Sequence, residues 1–305
     1  MSSSKPMSPT PTEQPMYYVP SPAEVDPALA LSAQAQSLVT AEALARLASE
    51  GFVVIENALT PDLARAVCAE ADSWRQKGFL QEVSHQTIYR RDQIVNFSTD
   101  STGLVCGAEE LVVLSNTTEE HDPKEGGANL LDIQRQPNIA EAAKILMGVP
   151  HAIQHQQERR KGSSDAWRAP PLALPRSLMM ACYPGNGTAY VRHLDNDKSH
   201  ANEGTMQGVP GTRVGDREVT AILYFNDEWR ADRDGGSLRV FHPYTPVGMA
   251  ERYTDISPSA GRLVLFQSNL VAHEVLPAHR PRWALTAWIP QMQAFQDHQG
   301  YISLP

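Results

Sequence analysis

The second half of this 305-residue chain consists of short apolar runs separated by turn residues. From Leu178 onward the runs are five to eight residues long, and the segments between them include PGNGT and DRDGG. Strands of this length and spacing predict an antiparallel β architecture, which is a sandwich, a barrel or a jelly roll. The runs are LMMACY, AYVRHLD, VTAILYFN, SLRVF, RLVLF and ALTAWI.

The first half carries helix signals instead. Thr40 and Gly51 fit the N-cap and the left-handed C-terminal residue of a helix about ten residues long. Residues 52–55 form a short run rich in β-branched residues. Thr60-Pro61-Asp62 then predicts the start of a second helix, which ends near Gly78.

A third helix is predicted over 139–147, whereas 151–176 lacks an apolar period and is predicted to be a loop. These helices are expected to pack on the outer face of the β half, because an amphipathic helix needs an apolar surface to cover. The fold class is therefore predicted to be mainly β with supporting helices.

Residues 1–27 contain seven prolines among Ser, Thr and Gln. Such a segment buries too little apolar surface to offset the entropy lost on ordering, so residues 1–38 are predicted to be a disordered tail. The tail lacks the basic start and apolar run of a secretory signal. Its serine content leaves organelle targeting open, although it has no arginine and carries Glu13.

Composition excludes several classes of protein. No apolar run is long enough for a membrane-spanning helix, and a net charge of -9 without a basic tract argues against nucleic acid as a partner. The three cysteines are odd in number and widely spaced, which implies neither a disulfide framework nor a zinc site. We therefore expect a reducing compartment, the cytoplasm or the nucleus. The cysteines are Cys68, Cys106 and Cys182.

Two histidines and one carboxylate are candidates for a metal site. His193 and Asp195 lie two residues apart in the run AYVRHLD, so strand alternation directs both side chains to one face. His273, in VAHEV, adjoins another strand pattern. Two histidines and a carboxylate are the facial triad that holds non-haem Fe(II) with three positions open. The alternative at this point is that both histidines are ordinary strand residues, since an H-x-D tripeptide arises readily by chance.

Arg282 adds a second kind of signal, because the run that begins with it would direct its guanidinium inward among apolar neighbours. A buried arginine needs an anionic partner. No acid lies nearby in that strand, so a small-molecule carboxylate, held by paired hydrogen bonds, is a reasonable partner. A distant aspartate or glutamate is the other choice.

Residues 178–289 closely resemble the catalytic domain of the hypoxia-inducible-factor prolyl hydroxylases, a branch of the 2-oxoglutarate- and Fe(II)-dependent dioxygenases. The resemblance rests on YPGNGTAYVRHLDN, on REVTAILYFNDEW and DGGSLRVF, and on HEVLPAHRPRWALTAWI with its spacing of nine from His273 to Arg282. It implies a double-stranded β-helix core, also called a jelly roll and cupin-like, with iron at one open end.

The resemblance makes His193, Asp195 and His273 the iron ligands, and Arg282 the partner of the distal carboxylate of 2-oxoglutarate. Collagen-type prolyl hydroxylases have lysine where Arg282 stands, which favours the oxygen-sensor branch. Three further positions correspond to family residues around the cosubstrate: Tyr224, whose hydroxyl joins the arginine, Tyr183 beside the cosubstrate, and Thr286 near its distal end. Tyr183 and Thr286 would equally serve as core residues.

The segment that begins at Arg90 resembles the start of the mobile loop that folds over a bound peptide in the family. Arg217 matches an arginine that pairs with an aspartate of that loop, here Asp92; an ordinary surface ion pair is the alternative. Two departures leave the peptide specificity open. The family has tryptophan where Asn96 falls, and the segment 196–217 is longer than its counterpart.

Together these features predict a tail of residues 1–38 and a single dioxygenase domain of residues 39–305. In that domain 39–176 would supply helical support and the substrate loop, and 177–290 the β-helix core. The expected reaction is hydroxylation of a prolyl residue in a protein or peptide substrate, using Fe(II), 2-oxoglutarate and O2, with ascorbate as a reductant. The alternatives are hydroxylation of a free amino acid or another small molecule, and a catalytically silent binding module. The oligomeric state stays open.

Overall fold

A computed structural model of the chain describes residues 34–82, 91–98, 110–114, 130–132, 136–160, 168–203, 211–246 and 248–292. The helices are α1 (Ala41–Glu50), α2 (Pro61–Gln76), α3 (Pro137–Arg159) and the single turn α4 (Ala231–Asp234). The strands are β1 (Phe52–Ile55), β2 (Gln81–Glu82), β3 (Gln93–Ser98), β4 (Glu110–Leu114), β5 (Leu130–Asp132), β6 (Ser177–Tyr183), β7 (Thr188–His193), β8 (Arg217–Tyr224), β9 (Leu238–Phe241), β10 (Tyr253–Ile256), β11 (Leu263–Gln267), β12 (His273–Ala278) and β13 (Arg282–Pro290).

The strands form two antiparallel sheets. The larger has nine strands in the order β1-β11-β8-β13-β6-β3-β4-β5, with β2 paired to β3, and the smaller has the order β10-β9-β12-β7. The central strands β8, β11 and β13 are buried along nearly their whole length, as expected for strands covered on both faces. The architecture is mainly β with supporting helices, as predicted.

Alternation along β6, β8 and β13 separates two apolar layers. Cys182, Leu223 and Leu285 face the helices, in a layer that includes Trp74 of α2 and Ile139 of α3. The alternate residues face the smaller sheet and form an inner layer, whose members include Ala181, Tyr224, Ala284, Leu238, Val240 and Val275. Any site on this inner face lies between the sheets.

The first two helices begin where the sequence predicts. The Thr40 hydroxyl accepts a hydrogen bond from the Ala43 amide at 3.1 Å, and Gly51 ends α1 in the left-handed conformation with φ of 85°. The Thr60 hydroxyl likewise accepts from the Leu63 amide, at 3.3 Å. The tail boundary is less accurate: residues 34–38 are helical and Ala35 is fully buried, so the packed chain includes residues that the sequence assigns to the tail.

The third helix is longer than predicted. It continues to Arg159 through Pro150, so residues 151–159 are helix and not loop. An internal proline costs a helix about 3 kcal/mol through a lost hydrogen bond and a clash. Ala152 and Ile153 beyond it are fully buried, and the burial of this turn offsets the cost.

The two described cysteines form no disulfide, and the compartment stays a prediction. Cys68 and Cys182 are free thiols, and Cys106 lies outside the described residues. Burial raises the pKa of Cys68 to about 11 and that of Cys182 to about 12, so both stay protonated and unreactive at neutral pH. Among the described helices, none is both long and apolar enough to span a membrane.

A side chain from another helix caps α3. Gln136 at its N-terminus makes no side-chain cap, and the Glu70 carboxylate of α2 instead accepts from the amides of Asn138 and Ile139, at 3.2 and 2.8 Å. We expect Glu70→Ala to lower the free energy of unfolding by about 1–2 kcal/mol, because two amides at a positive helix end lose their acceptor.

Urea denaturation measures this change. Glu141→Ala is the matched control, since Glu141 lies on the capped helix α3 and, in the described part of the chain, makes only an exposed ion pair with Lys144. The control should change stability by less than about 0.5 kcal/mol. Equal effects of the two substitutions would contradict the capping role.

Candidate metal centre and cosubstrate pocket

Neighbouring strands bring the two histidines together. His193 ends β7 and His273 begins β12, and the two are direct register partners. Asp195 lies two residues beyond the end of β7, not within the strand as predicted, yet its carboxylate still turns towards the imidazoles. The Oδ1 atom is 3.6 Å from His193 Nε2, and the Oδ2 atom is 3.8 Å from His273 Nε2. One potential ligand atom from each residue lies within 4.8 Å of the others.

Backbone carbonyls orient both rings. His193 Nδ1 is 2.8 Å from the Val191 carbonyl oxygen, and His273 Nδ1 is 3.1 Å from that of Val271. A carbonyl can only accept, so each Nδ1 carries the proton and donates it. With the proton on Nδ1, each ring directs its Nε2 atom to the shared centre, which is the arrangement that outer hydrogen bonds give to metal-binding histidines.

The carboxylate is also held from outside the triad. The Thr220 hydroxyl donates to Asp195 Oδ2 at 2.7 Å, and the Ser268 hydroxyl lies 2.8 Å from that of Thr220. Because the Thr220 proton is used on the carboxylate, Ser268 is the donor to Thr220. Arg217 Nη1 donates to the Asp195 backbone oxygen at 3.2 Å. These contacts join the larger sheet, through β8, to the end of β7.

The protonation states suit a metal. Burial alone would raise the pKa of the Asp195 carboxyl, but the electrostatic effects of His273, His193 and Arg217 outweigh it and hold that pKa well below its usual range. Burial and the charge of His193 lower the pKa of His273 to about 4, against the opposing effect of Asp195. An ionised carboxylate and a neutral imidazole are the forms that ligate.

Arg282 lies inward on β13, as predicted, and is only 2% exposed. Its Nε donates to the Gly236 carbonyl oxygen at 2.7 Å and its Nη2 to the Tyr224 hydroxyl at 3.2 Å. These are neutral acceptors, and within the described residues Arg282 makes no salt bridge. Three of the five guanidinium N–H groups are not used by these two bonds, so the pocket favours an anion with paired acceptor atoms.

The other predicted cosubstrate residues lie on the same inner face of the larger sheet as Arg282. Tyr183 is the register partner of Arg282, and its ring centroid is 4.9 Å from the guanidinium carbon. Thr286 is buried on β13 two alternations further along, so its side chain lies on the same inner face. Burial raises the pKa of Tyr224 and keeps its hydroxyl neutral beside the arginine.

The predicted substrate-loop residues are only partly visible. Arg90 lies outside the described residues, and Asp92 is fully buried immediately before β3. Arg217 contacts the Asp195 backbone, and its guanidinium lies 4.0 Å from the centroid of the Trp288 ring. Its pairing with Asp92 stays a prediction. Asn96 is buried on β3 next to Met179, so it lies on the inner face.

The enlarged segment after Asp195 is anchored at its base. The Asn196 side chain donates to the backbone oxygens of Arg217 and Gly215, at 2.7 and 3.3 Å. Gly215 in turn donates to the Ala201 oxygen at 3.0 Å. Residues 204–210 of this segment lie outside the described part of the chain.

Sequence reasoning missed the residues that hold the site together. Thr220 and Ser268 lie 25 and 73 positions after Asp195, and no local pattern marks either hydroxyl as a partner of the carboxylate. Val191, Val271 and Gly236 act through backbone carbonyls, which any residue would provide. The adjacent glycines 235 and 236 were the only available signal, because paired glycines often mark a close approach of the backbone.

The fold and the site together resemble those of a 2OG-Fe(II) oxygenase domain. The family model of the 2OG-Fe(II) oxygenase superfamily matches residues 178–290, which hold the triad and Arg282. The site fits a metal ion because it has two oriented imidazoles and an ionised carboxylate. It fits 2-oxoglutarate because it has a buried guanidinium. Fe(II) and 2-oxoglutarate therefore suit the residues present.

The proteins that are similar to this chain include prolyl hydroxylases. The Egl nine homolog 1 of Rattus norvegicus is 42% identical over 111 residues, which are 36% of this chain and 27% of that protein. The Pseudomonas putida prolyl-4-hydroxylase structure is 27% identical with a TM-score of 0.50, and the match covers 82% of this chain and 98% of that one.

A third relative shares the fold. A Trichoplax adhaerens prolyl hydroxylase, solved with a hypoxia inducible factor peptide fragment, is 21% identical with a TM-score of 0.54, covering 90% of this chain and 96% of that one. Its likeness confirms the double-stranded β-helix core. The match to the curated Egl nine homolog 1 proteins, by contrast, spans only about a quarter of their length.

Thr220 provides a test of the carboxylate support. We expect Thr220→Val to weaken Mn(II) binding by about 10- to 100-fold, because removal of a second-shell partner releases a ligand from its orientation. Calorimetric titration with Mn(II) measures the loss. Thr220→Ser keeps the hydroxyl and should bind within a few-fold of wild type. Unchanged affinity in the valine variant would contradict the role of this hydrogen bond.

Proposed function

We propose that the chain is a 2-oxoglutarate- and Fe(II)-dependent dioxygenase that hydroxylates a prolyl residue in a protein or peptide substrate. The observation that carries this proposal is the presence of two features on the facing sides of the two sheets. The first is a set of three metal-ligand side chains with oriented lone pairs, and the second is a buried arginine whose partners are neutral.

The prolyl substrate is supported by the relatives. The Pseudomonas putida protein is named a prolyl-4-hydroxylase, and the chain matches nearly all of its length. The curated relatives include a hypoxia-inducible factor prolyl hydroxylase of Caenorhabditis elegans, 40% identical over the same 111 residues. We infer that the chain is of the peptidyl-proline 4-hydroxylase type. Its recognition of the substrate would differ from that of the relatives around Asn96 and segment 196–217.

The residues divide the work of the reaction. His193, Asp195 and His273 would hold Fe(II) on one side of its coordination sphere and leave positions for the cosubstrate and O2. Arg282 and the Tyr224 hydroxyl would bind the distal carboxylate of 2-oxoglutarate and fix its orientation. Bound Fe(II) supplies the oxidation, in which 2-oxoglutarate and O2 yield succinate and CO2, and one oxygen atom enters a substrate C–H bond.

The surrounding side chains keep the reaction away from bulk water. Tyr183, Ala284 and Val240 belong to the inner apolar layer, so the space between the sheets is lined largely by nonpolar surface. Exclusion of water strengthens the electrostatic attraction between Arg282 and a carboxylate. It also protects reactive species from side reactions.

Loss of a ligand should abolish turnover. We expect His193→Ala and Asp195→Ala to produce no succinate from 2-oxoglutarate in the presence of Fe(II), because the remaining two ligands hold the metal too weakly. Succinate is measured by mass spectrometry. His200→Ala is the matched control, since His200 is exposed and pairs only with Glu203. Normal turnover in either ligand variant would overturn the iron assignment.

Loss of the arginine should affect the cosubstrate and not the metal. We expect Arg282→Ala to raise the 2-oxoglutarate concentration needed for half-maximal turnover by about 100-fold or more, as for the loss of a buried charged contact of roughly 3 kcal/mol. Arg282→Lys keeps a cation and should restore part of the affinity. Equal cosubstrate requirements for wild type and Arg282→Ala would refute the carboxylate role.

The identity of the substrate is open to direct measurement. A lysate incubated with active enzyme, and compared with the Asp195→Ala variant, should contain a protein whose proline has gained the mass of one oxygen atom. The same gain on free proline would favour the small-molecule alternative. A silent binding module would give neither product, and would also fail to decarboxylate 2-oxoglutarate without a substrate.

A further inference from the structure

Arg282 depends on a glycine turn that leads into β9. The Gly236 carbonyl oxygen accepts its Nε proton at 2.7 Å. Gly236 has φ of 66°, and a Cβ atom there would lie 3.1 Å from Arg282 Cδ. Gly235, with φ of 63°, is tighter, because its Cβ would lie 2.2 Å from the Pro277 oxygen. The position of this turn therefore fixes the position of the guanidinium.

Hydrogen bonds from two directions hold the turn. The Trp229 indole Nε1 donates to the Gly235 oxygen at 2.9 Å. The Gly236 amide donates to the Pro277 oxygen at 2.9 Å, and the His279 amide to the Asp234 oxygen at 2.8 Å. Backbone bonds secure the side that faces β12. On the side of α4 the Gly235 amide donates to the Ala231 oxygen at 3.1 Å, and the Trp229 indole adds a side-chain hydrogen bond to the Gly235 carbonyl.

Arg280 holds that tryptophan in place. Its guanidinium lies 4.4 Å from the centroid of the Trp229 ring, within cation–π range. Its Nη2 donates to the Asp227 oxygen at 2.6 Å, and its Nε is 3.2 Å from Asp234 Oδ2. The Arg280 side chain thus contacts Asp227, which precedes α4, the Trp229 indole, and Asp234, the residue immediately before the turn.

The backbone of Arg280 is itself fixed. Gly185, in the YPGNGT motif, has φ of 104°, and a Cβ atom there would lie 2.7 Å from Arg280 Cα. The motif therefore lets the β6–β7 turn pack directly on the chain two residues before Arg282. Arg280 can position its neighbours because close packing fixes its backbone and its side chain is held by Trp229, Asp227 and Asp234.

We propose that Arg280 is a positioning residue that acts through Trp229 and the Gly235–Gly236 turn to place the Arg282 guanidinium, and thereby sets the affinity for the carboxylate cosubstrate. The inference rests on the proposed function, since it concerns 2-oxoglutarate. Arg280 is 36% exposed in its side chain, so a partly exposed residue controls a buried contact.

The test compares Arg280→Ala with Arg233→Ala by calorimetric titration of 2-oxoglutarate into the Mn(II)-loaded protein. Arg233 is the matched control because it also pairs with Asp234, at 2.6 Å, but contacts neither Trp229 nor Asp227 among the described interactions. We expect binding about tenfold weaker for Arg280→Ala and within about twofold of wild type for Arg233→Ala. Mn(II) affinity should stay unchanged in both.

Two further variants separate positioning from general destabilisation. Trp229→Phe keeps the ring but removes the N–H that holds Gly235, and should weaken 2-oxoglutarate binding about as much as Arg280→Ala. In an Arg282→Ala background, Arg280→Ala should cause no further loss, because the group that it positions is absent. With Fe(II), Arg280→Ala should raise the KM for 2-oxoglutarate and leave kcat unchanged.

The outcomes are distinct. Wild-type affinity in both Arg280→Ala and Trp229→Phe would overturn the positioning role and leave the proposed function intact. A further loss of affinity in the double variant would also overturn it, because the effect would not pass through Arg282. Failure of the wild-type protein itself to bind 2-oxoglutarate would reject the proposed function.

Discussion

A positive charge buried between two sheets is the constraint around which this molecule is built. The Arg282 guanidinium has given up most of its hydration, and transfer of a cation into such surroundings costs several kcal/mol unless it is compensated. A carbonyl and a hydroxyl, both neutral, compensate for part of that cost. The remainder of the cost favours an anionic ligand at this position.

The two sheets contribute different halves of the site. The histidines belong to the four-stranded sheet, whereas Arg282, Tyr224 and Tyr183 belong to the nine-stranded sheet. A molecule that reaches both the metal and the arginine must therefore bridge the sheets. Their separation is set by the inner apolar layer, and their lateral alignment is fixed in part by the hydrogen bond from Thr220 on one side to Asp195 on the other.

Local patterns predicted much of this arrangement. Strand alternation placed Arg282 inward, and the cap residues of α1 and α2 are where the sequence indicated. His193 and Asp195 do converge, although Asp195 lies beyond the strand and a bend, not alternation, turns it inward. Alternation therefore predicted the convergence of His193 and Asp195 correctly, although it does not explain the orientation of Asp195.

Features that depend on tertiary contacts were not predictable. The helix α3 continues past Pro150 because its far end is buried, and burial is invisible to a rule about proline in isolated helices. Ala35 was assigned to the tail because the prediction for the proline-rich segment was extended to residue 38, whereas the structure packs Ala35 in the apolar core. The support from Thr220 and from the Gly236 carbonyl comes from distant parts of the chain or from the backbone, and neither leaves a periodic signal.

The register that sets His193 opposite His273 has a consequence for the energetics of the smaller sheet. β7 is an edge strand of that sheet and pairs only with β12 there, so few backbone hydrogen bonds retain it. A ligand that binds only the folded arrangement adds its binding free energy to the opening of the segments that it joins. Metal occupancy is therefore expected to affect the local opening of β7 more than global unfolding. The ion that supplies reactivity would then also stabilise an edge strand of the site.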